Sequence, residues 1–118
     1  MKTVVLGASE KSNRYSNRAV KQLLENDMEV VAIGRKEGMI EGTKIITGYP
    51  TINDVHTITL YLNPENQKSY YDYIIQLKPQ RVIFNPGTEN DELKKMIAES
   101  GAKAIEACTL VLLSTGQY

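Results

Sequence analysis

A chain of 118 residues with fourteen basic and fourteen acidic side chains fits one domain around a single core, and its zero net charge gives no global field to draw it to nucleic acid or a membrane surface. No apolar run approaches the roughly 20 residues of a membrane span, and an N-terminus without a signal pattern sets the expectation of a cytoplasmic protein. A single cysteine, Cys108, excludes an internal disulfide, and a single histidine, His56, leaves no multi-Cys or multi-His metal centre.

Lys2 to Leu6 reads as a strand buried on both faces, stopping at Gly7. A helix capped by Ser16 or Asn17 follows to about Asn26, with Ala19, Val20, Leu23 and Leu24 as its buried stripe. Glu29 to Ile33 is the second strand, ending at Gly34. The segment Arg35 to Lys44 reads as a loop, Ile45 and Ile46 as a short third strand, and Thr51 to Val55 as a polar stretch with at most one helical turn. Thr57 to Leu62 is the next strand, stopped by Asn63-Pro64 because proline neither donates to a ladder nor tolerates a helical predecessor. A helix from about Asn66 to Leu77, a strand from Arg81 to Phe84 and a helix capped by Asn90 or Asp91 follow, the last stopped by Gly101. Lys103 to Ala107 is the final strand, and Thr109 to Leu113 a short helix.

Strands alternating with helices pair in parallel through right-handed crossovers. The expected fold is a Rossmann-like doubly wound α/β sheet in three layers, α/β/α, of about five strands in the order 3-2-1-4-5. In that architecture ligands bind at the carboxyl ends of the strands, next to the switch point.

Those strand ends fall at Gly7-Ala8-Ser9, Gly34-Arg35-Lys36, Asn63-Pro64, Asn85-Pro86-Gly87 and Cys108. A strand, a glycine and a helix start make an anion site, because unpaired amides and the helix dipole favour negative charge there. With Gly7 as its one glycine, the first turn is neither the three-glycine dinucleotide fingerprint nor a P-loop. A dinucleotide site usually places a carboxylate at the end of the second strand. Here Arg35 and Lys36 stand there instead, which suits a phosphorylated ribose, either the 2′-phosphate of NADP or the 3′-phosphate of coenzyme A.

Val4-Val5-Leu6-Gly7-Ala8-Ser9 with Arg14 and Ser16, Val31-Ala32-Ile33 with the loop to Ile40-Glu41-Gly42, and Val82-Ile83-Phe84-Asn85-Pro86-Gly87 resemble the stand-alone CoA-binding proteins. These are single-domain relatives of the CoA-binding domain of the succinyl-CoA synthetase alpha subunit. The likeness runs through Gly101-Ala102-Lys103 to Cys108. It implies coenzyme A as the ligand, with phosphates held by Gly7, Ala8, Ser9, Arg14, Tyr15 and Ser16. The adenosine end would lie by Ile33, Gly34, Arg35 and Lys36, flanked with the pantetheine by Leu62, Asn63, Asn85 and Pro86. Relatives often carry Asn-Pro after the second strand, where this chain has Gly34-Arg35.

No catalytic constellation emerges from the sequence. The expectation is therefore a binder of coenzyme A or acyl-CoA acting as carrier, sensor or partner subunit, against two alternatives: a minimal NADP-dependent oxidoreductase and a ligand-free interaction domain. His56 reads as a surface histidine at the opposite edge, and the carboxylates Glu89, Asp91 and Glu92 as helix-start charges. Cys108 reads either as a small packing residue or as a thiol within reach of the pantetheine for disulfide exchange. Tyr70, Tyr71 and Tyr73 on one helix set the expectation of a spare aromatic for a two-fold homodimer.

Overall fold

A computed structural model of the chain describes residues 1–118. Its strands are β1 (Lys2–Leu6), β2 (Glu29–Ile33), β3 (Gly38–Ile40), β4 (Thr43–Ile46), β5 (Val55–Leu60), β6 (Arg81–Phe84) and β7 (Lys103–Glu106). The helices are α1 (Tyr15–Glu25), α2 (Pro64–Gln67), α3 (Tyr71–Gln76), α4 (Asp91–Glu99) and α5 (Thr109–Ser114), with a 3₁₀ turn at Lys68–Tyr70 joining α2 to α3. No helix is long and apolar enough to cross a membrane.

One sheet holds all seven strands in the order β3-β4-β2-β1-β5-β6-β7, parallel except for β3. The expected order 3-2-1-4-5 is present as β4-β2-β1-β5-β6, and the count of about five is corrected to seven by a strand at each edge. The segment read as a loop from Arg35 to Lys44 contains β3 and the start of β4, paired as an antiparallel hairpin. Its two-residue turn, Glu41-Gly42, has φ of 45° and 84°, the left-handed pair a tight hairpin needs to match strand twist. A three-residue strand shows no periodicity, and glutamate is a poor signal for such a turn.

Three boundaries also move. Helix α1 starts at Tyr15 with Arg14 as its cap, because Ser16 and Asn17 are already helical and buried. Strand β5 begins at Val55, so no helical turn precedes it and His56 lies within the strand rather than before it. Asn63 is more than a strand stop: its Oδ1 accepts the Asn66 N–H at 2.9 Å with Pro64 in the first turn, so the following helix starts two residues earlier than expected.

Alternation along the strands builds two cores. Val4, Leu6, Ile58, Leu60, Val82 and Phe84 face α3 and α4, where Ile74, Leu93 and Ile97 close over them. Val5, Ala32 and Ile45 meet Val20 and Leu23 of α1 and Leu113 of α5 on the other face. Thr57 and Thr59 are fully buried, and their hydroxyls are satisfied by Arg81, Thr109 and Asn85. Of the three tyrosines, Tyr73 is buried, and Tyr70 and Tyr71 are half-buried: Tyr70 packs beside Tyr73 and Tyr49, and the Tyr71 hydroxyl accepts from Asn90.

Candidate functional site

Parallel pairing delivers the ends of β1, β2, β5, β6 and β7 to one edge. There the turn after β1 is pressed against the end of β2. Gly7 and Ala8 both donate to the Ile33 carbonyl, at 2.8 and 2.9 Å, so these two amides are engaged within the fold. Gly7 has φ of +103°, and a Cβ on it would meet the Tyr61 carbonyl carbon at 3.0 Å. A Cβ on Gly34 would stand 2.4 Å from the Ala8 carbonyl oxygen, which is a physical reason for glycine at this position.

Free donors appear one step further along. Arg14 caps α1 with no side-chain acceptor, no acidic residue stands in the first turn, and the Tyr15 and Ser16 amides find no acceptor in the chain. The other helices that start at this edge are closed. Asn63 caps α2 with Glu65 in its first turn, Asn90 caps α4 with Asp91 and Glu92, and the Thr109 N–H of α5 donates to Asn85 Oδ1. An external anion is therefore favoured at α1 alone.

The side chains around α1 agree. Lys11, Arg14, Arg18, Arg35 and Lys36 are exposed and make no ion pair within the chain; Arg18 lies over the Tyr15 ring at 5.4 Å. Glu10 and Glu37 are the carboxylates nearest in sequence, and Glu10 already accepts the Met39 N–H at 3.0 Å. Ser9 Oγ accepts from Lys11, and the Ser9 carbonyl accepts from the Asn17 amide, which ties the loop to the helix.

On the far side of the edge, the expected ligand residues serve the fold. Asn85 is 2% exposed; its amide donates to Thr59 Oγ1 and the Leu60 carbonyl while Oδ1 accepts from Thr109, so its side chain is fully engaged internally. Pro86 is exposed and Leu62 half-buried. The sequence reading missed Gln67, which is wholly buried. Its amide donates to the Leu62 and Thr88 carbonyls at 2.8 Å each, and its Oε1 accepts from Asn90. One side chain thus joins the loops that follow β5 and β6, and in sequence it is hidden among Glu65, Asn66, Lys68 and Ser69, a run that reads as a solvated surface.

Cys108 is half-buried at the start of α5 and free. Burial pushes the nearby Tyr61 phenol up to about 12, and its hydroxyl has no hydrogen-bond partner. A cavity of about 320 Å³ opens between the end of β2 and the α2 segment, lined by Arg35, Leu62, Glu65, Asn66, Lys68, Ser69 and Tyr70. A larger hollow, about 520 Å³, lies at the opposite edge against Asn53, Asp54 and Lys78, far from the free amides of α1. His56 is at that edge too, its Nδ1 hydrogen-bonded to Thr57, with burial and the Arg81 charge lowering its pKa.

The chain is similar to a crystal structure of an uncharacterised protein that is 49% identical, with a TM-score of 0.97 over 99% of this chain and 97% of the other. A Thermus thermophilus protein at 16% identity (TM-score 0.87, 99% and 90% covered) and a conserved hypothetical protein of Pyrococcus furiosus at 24% (TM-score 0.80, 93% and 97% covered) share the fold. No curated protein matches the chain. The family model described as "CoA binding domain" matches residues 1–114, the whole sheet and every loop at its carboxyl edge, and the chain belongs to that family.

Proposed function

We propose that the protein binds coenzyme A, free or as its acyl thioester, across the carboxyl edge of the sheet, and serves as a carrier, sensor or partner subunit rather than as a catalyst. The observation that carries this reading is the contrast among the helices at that edge. The start of α1 is uncapped and surrounded by unpaired cations, while α2, α4 and α5 are each closed by an asparagine. Phosphates suit the Tyr15 and Ser16 amides with Ser9 and Arg14, and the ribose end suits Gly34-Arg35-Lys36, with Leu62, Asn63 and Pro86 along the way. In this reading Ile33, Gly7, Ala8 and Asn85 shape the site through the backbone bonds they hold.

Arg35 at the end of β2 also suits the 2′-phosphate of NADP, so the ligand's mass is the discriminating quantity. Native mass spectrometry of gently purified protein is expected to show a retained mass equal to coenzyme A or an acyl derivative. A retained mass equal to NADP, or calorimetry with no heat on adding coenzyme A, would overturn the proposal.

A further inference from the structure

Sequence order pairs Arg35 with Lys36 as the reader of a ribose phosphate, but the fold pairs Arg35 with a different cation. Arg35 lines the 320 Å³ cavity and Lys36 does not; across the cavity stands Lys68, on the 3₁₀ turn between α2 and α3. We propose that this cavity seats the ribose phosphate of the coenzyme and that Lys68 is the residue by which the protein tells a phosphorylated ribose from a bare one. The inference rests on the coenzyme A reading above.

Three features support it. Two cations reach the cavity from separate elements, so a phosphate placed between them is contacted from two sides, which Arg35 and Lys36 on one strand end do not offer. Lys68 Nζ is held 3.2 Å from Glu65 Oε2, and both side chains are largely exposed, so their ion pair is weak and exchangeable. A phosphomonoester, with a charge of about −1.5 to −2 at neutral pH, competes well with one carboxylate for that ammonium. The cavity also has a fixed wall: Tyr70 lies 5.3 Å from the Tyr49 ring and 6.4 Å from Tyr73, and the Tyr49 hydroxyl donates to the Ser69 carbonyl. Glu65 in this arrangement opposes the ligand, so the subsite holds a residue that weakens binding as well as two that strengthen it.

Calorimetric titration of the full chain with coenzyme A and with dephospho-coenzyme A tests the assignment. Lys68→Met is expected to weaken coenzyme A about five- to tenfold and leave dephospho-coenzyme A within about twofold, the size of one charge-assisted contact near solvent. Lys68→Arg should restore the preference, Lys103→Met, an exposed lysine at the far end of the sheet, should leave it intact, and Glu65→Gln should tighten coenzyme A about two- to threefold by removing the opposing charge. A wild-type protein that binds both ligands, with a Lys68→Met variant whose ratio is unchanged, overturns this inference and spares the coenzyme A reading. A wild-type protein that binds neither overturns both.

Discussion

Gly34→Ala is the sharpest test of how the carboxyl edge is assembled. The new Cβ would stand 2.4 Å from the Ala8 carbonyl oxygen and 3.0 Å from Ile45 Cγ2, so the turn after β1 and the end of β2 must part by about 1 Å to reach ordinary contact. Both sides are fastened: Gly34 donates to the Ile46 carbonyl at 3.0 Å, and Gly7 and Ala8 donate to Ile33. Overpacking of this kind costs about 1–3 kcal/mol, and losing one of the Ile33 bonds adds about 1 kcal/mol. The stiffer unfolded chain returns about 0.4–1 kcal/mol, leaving a net loss of about 1–3.5 kcal/mol. At about 4 °C per kcal/mol for a chain of this length, the melting temperature should fall by about 4–14 °C. Coenzyme A affinity should fall with it, because the displaced turn leads into α1. Gly42→Ala is the control: that residue has φ of +84° but nothing within 4 Å, so left-handed strain of about 1–2 kcal/mol, offset by the same unfolded-chain term of about 0.4–1 kcal/mol, is the whole effect and binding is untouched. Calorimetric melting and titration of the two variants decide the matter. A Gly34→Ala protein no less stable than Gly42→Ala, with unchanged affinity, refutes the reasoning.

Gly7→Val should stay folded at a lower melting temperature and lose detectable coenzyme A binding, since its Cβ meets the Tyr61 backbone at a φ that costs about 1–3 kcal/mol; normal affinity by titration would place the site elsewhere. Gln67→Leu strands the Leu62 and Thr88 carbonyls and should cost about 2–4 kcal/mol by urea unfolding, with a loss under about 1 kcal/mol counting against the network. His56 has a pKa lowered below 6.5 in the fold, so the unfolded chain takes up its proton first. Its contribution is full above 6.5 and is lost as the pH falls from there through the lower, folded value. Urea midpoints at pH 7.5 and 5.5 should therefore differ less for His56→Gln than for the wild type.

Local rules made much of this fold legible. Arg81–Phe84 carries the apolar run Val82-Ile83-Phe84 between turn residues, and Asn90 or Asp91 ahead of Glu92 marks a helix start by cap and dipole together, so both elements are legible at their true positions. The hairpin at Gly38–Ile46 was not, because its pairing depends on Glu41 accepting a left-handed backbone. Arg14 escaped notice as a cap because it supplies no acceptor, and that lack is what leaves the α1 amides open. The family resemblance pointed to the carboxyl edge, but which side chains there are free and which are enclosed was illegible. Asn85 and Lys68 are told apart only by their surroundings, one enclosed by Thr59, Leu60 and Thr109 and the other facing a cavity across from Arg35.

The buried Gln67 and Asn85 amides have a consequence for how the molecule breathes. Loops at ligand edges commonly open alone, well below the free energy of global unfolding. Here the segments after β5 and β6 are bolted to each other and to α5 from inside, so they belong to the same cooperative unit as the central strands. Backbone amides such as Thr109 then exchange with solvent deuterium only when the whole domain unfolds, whereas Tyr15 and Ser16 exchange at once. A phosphate bound as proposed has little to slow on the first side and much on the second, so on that reading the ligand's imprint on hydrogen exchange is lopsided, concentrated in the stretch that leads into α1.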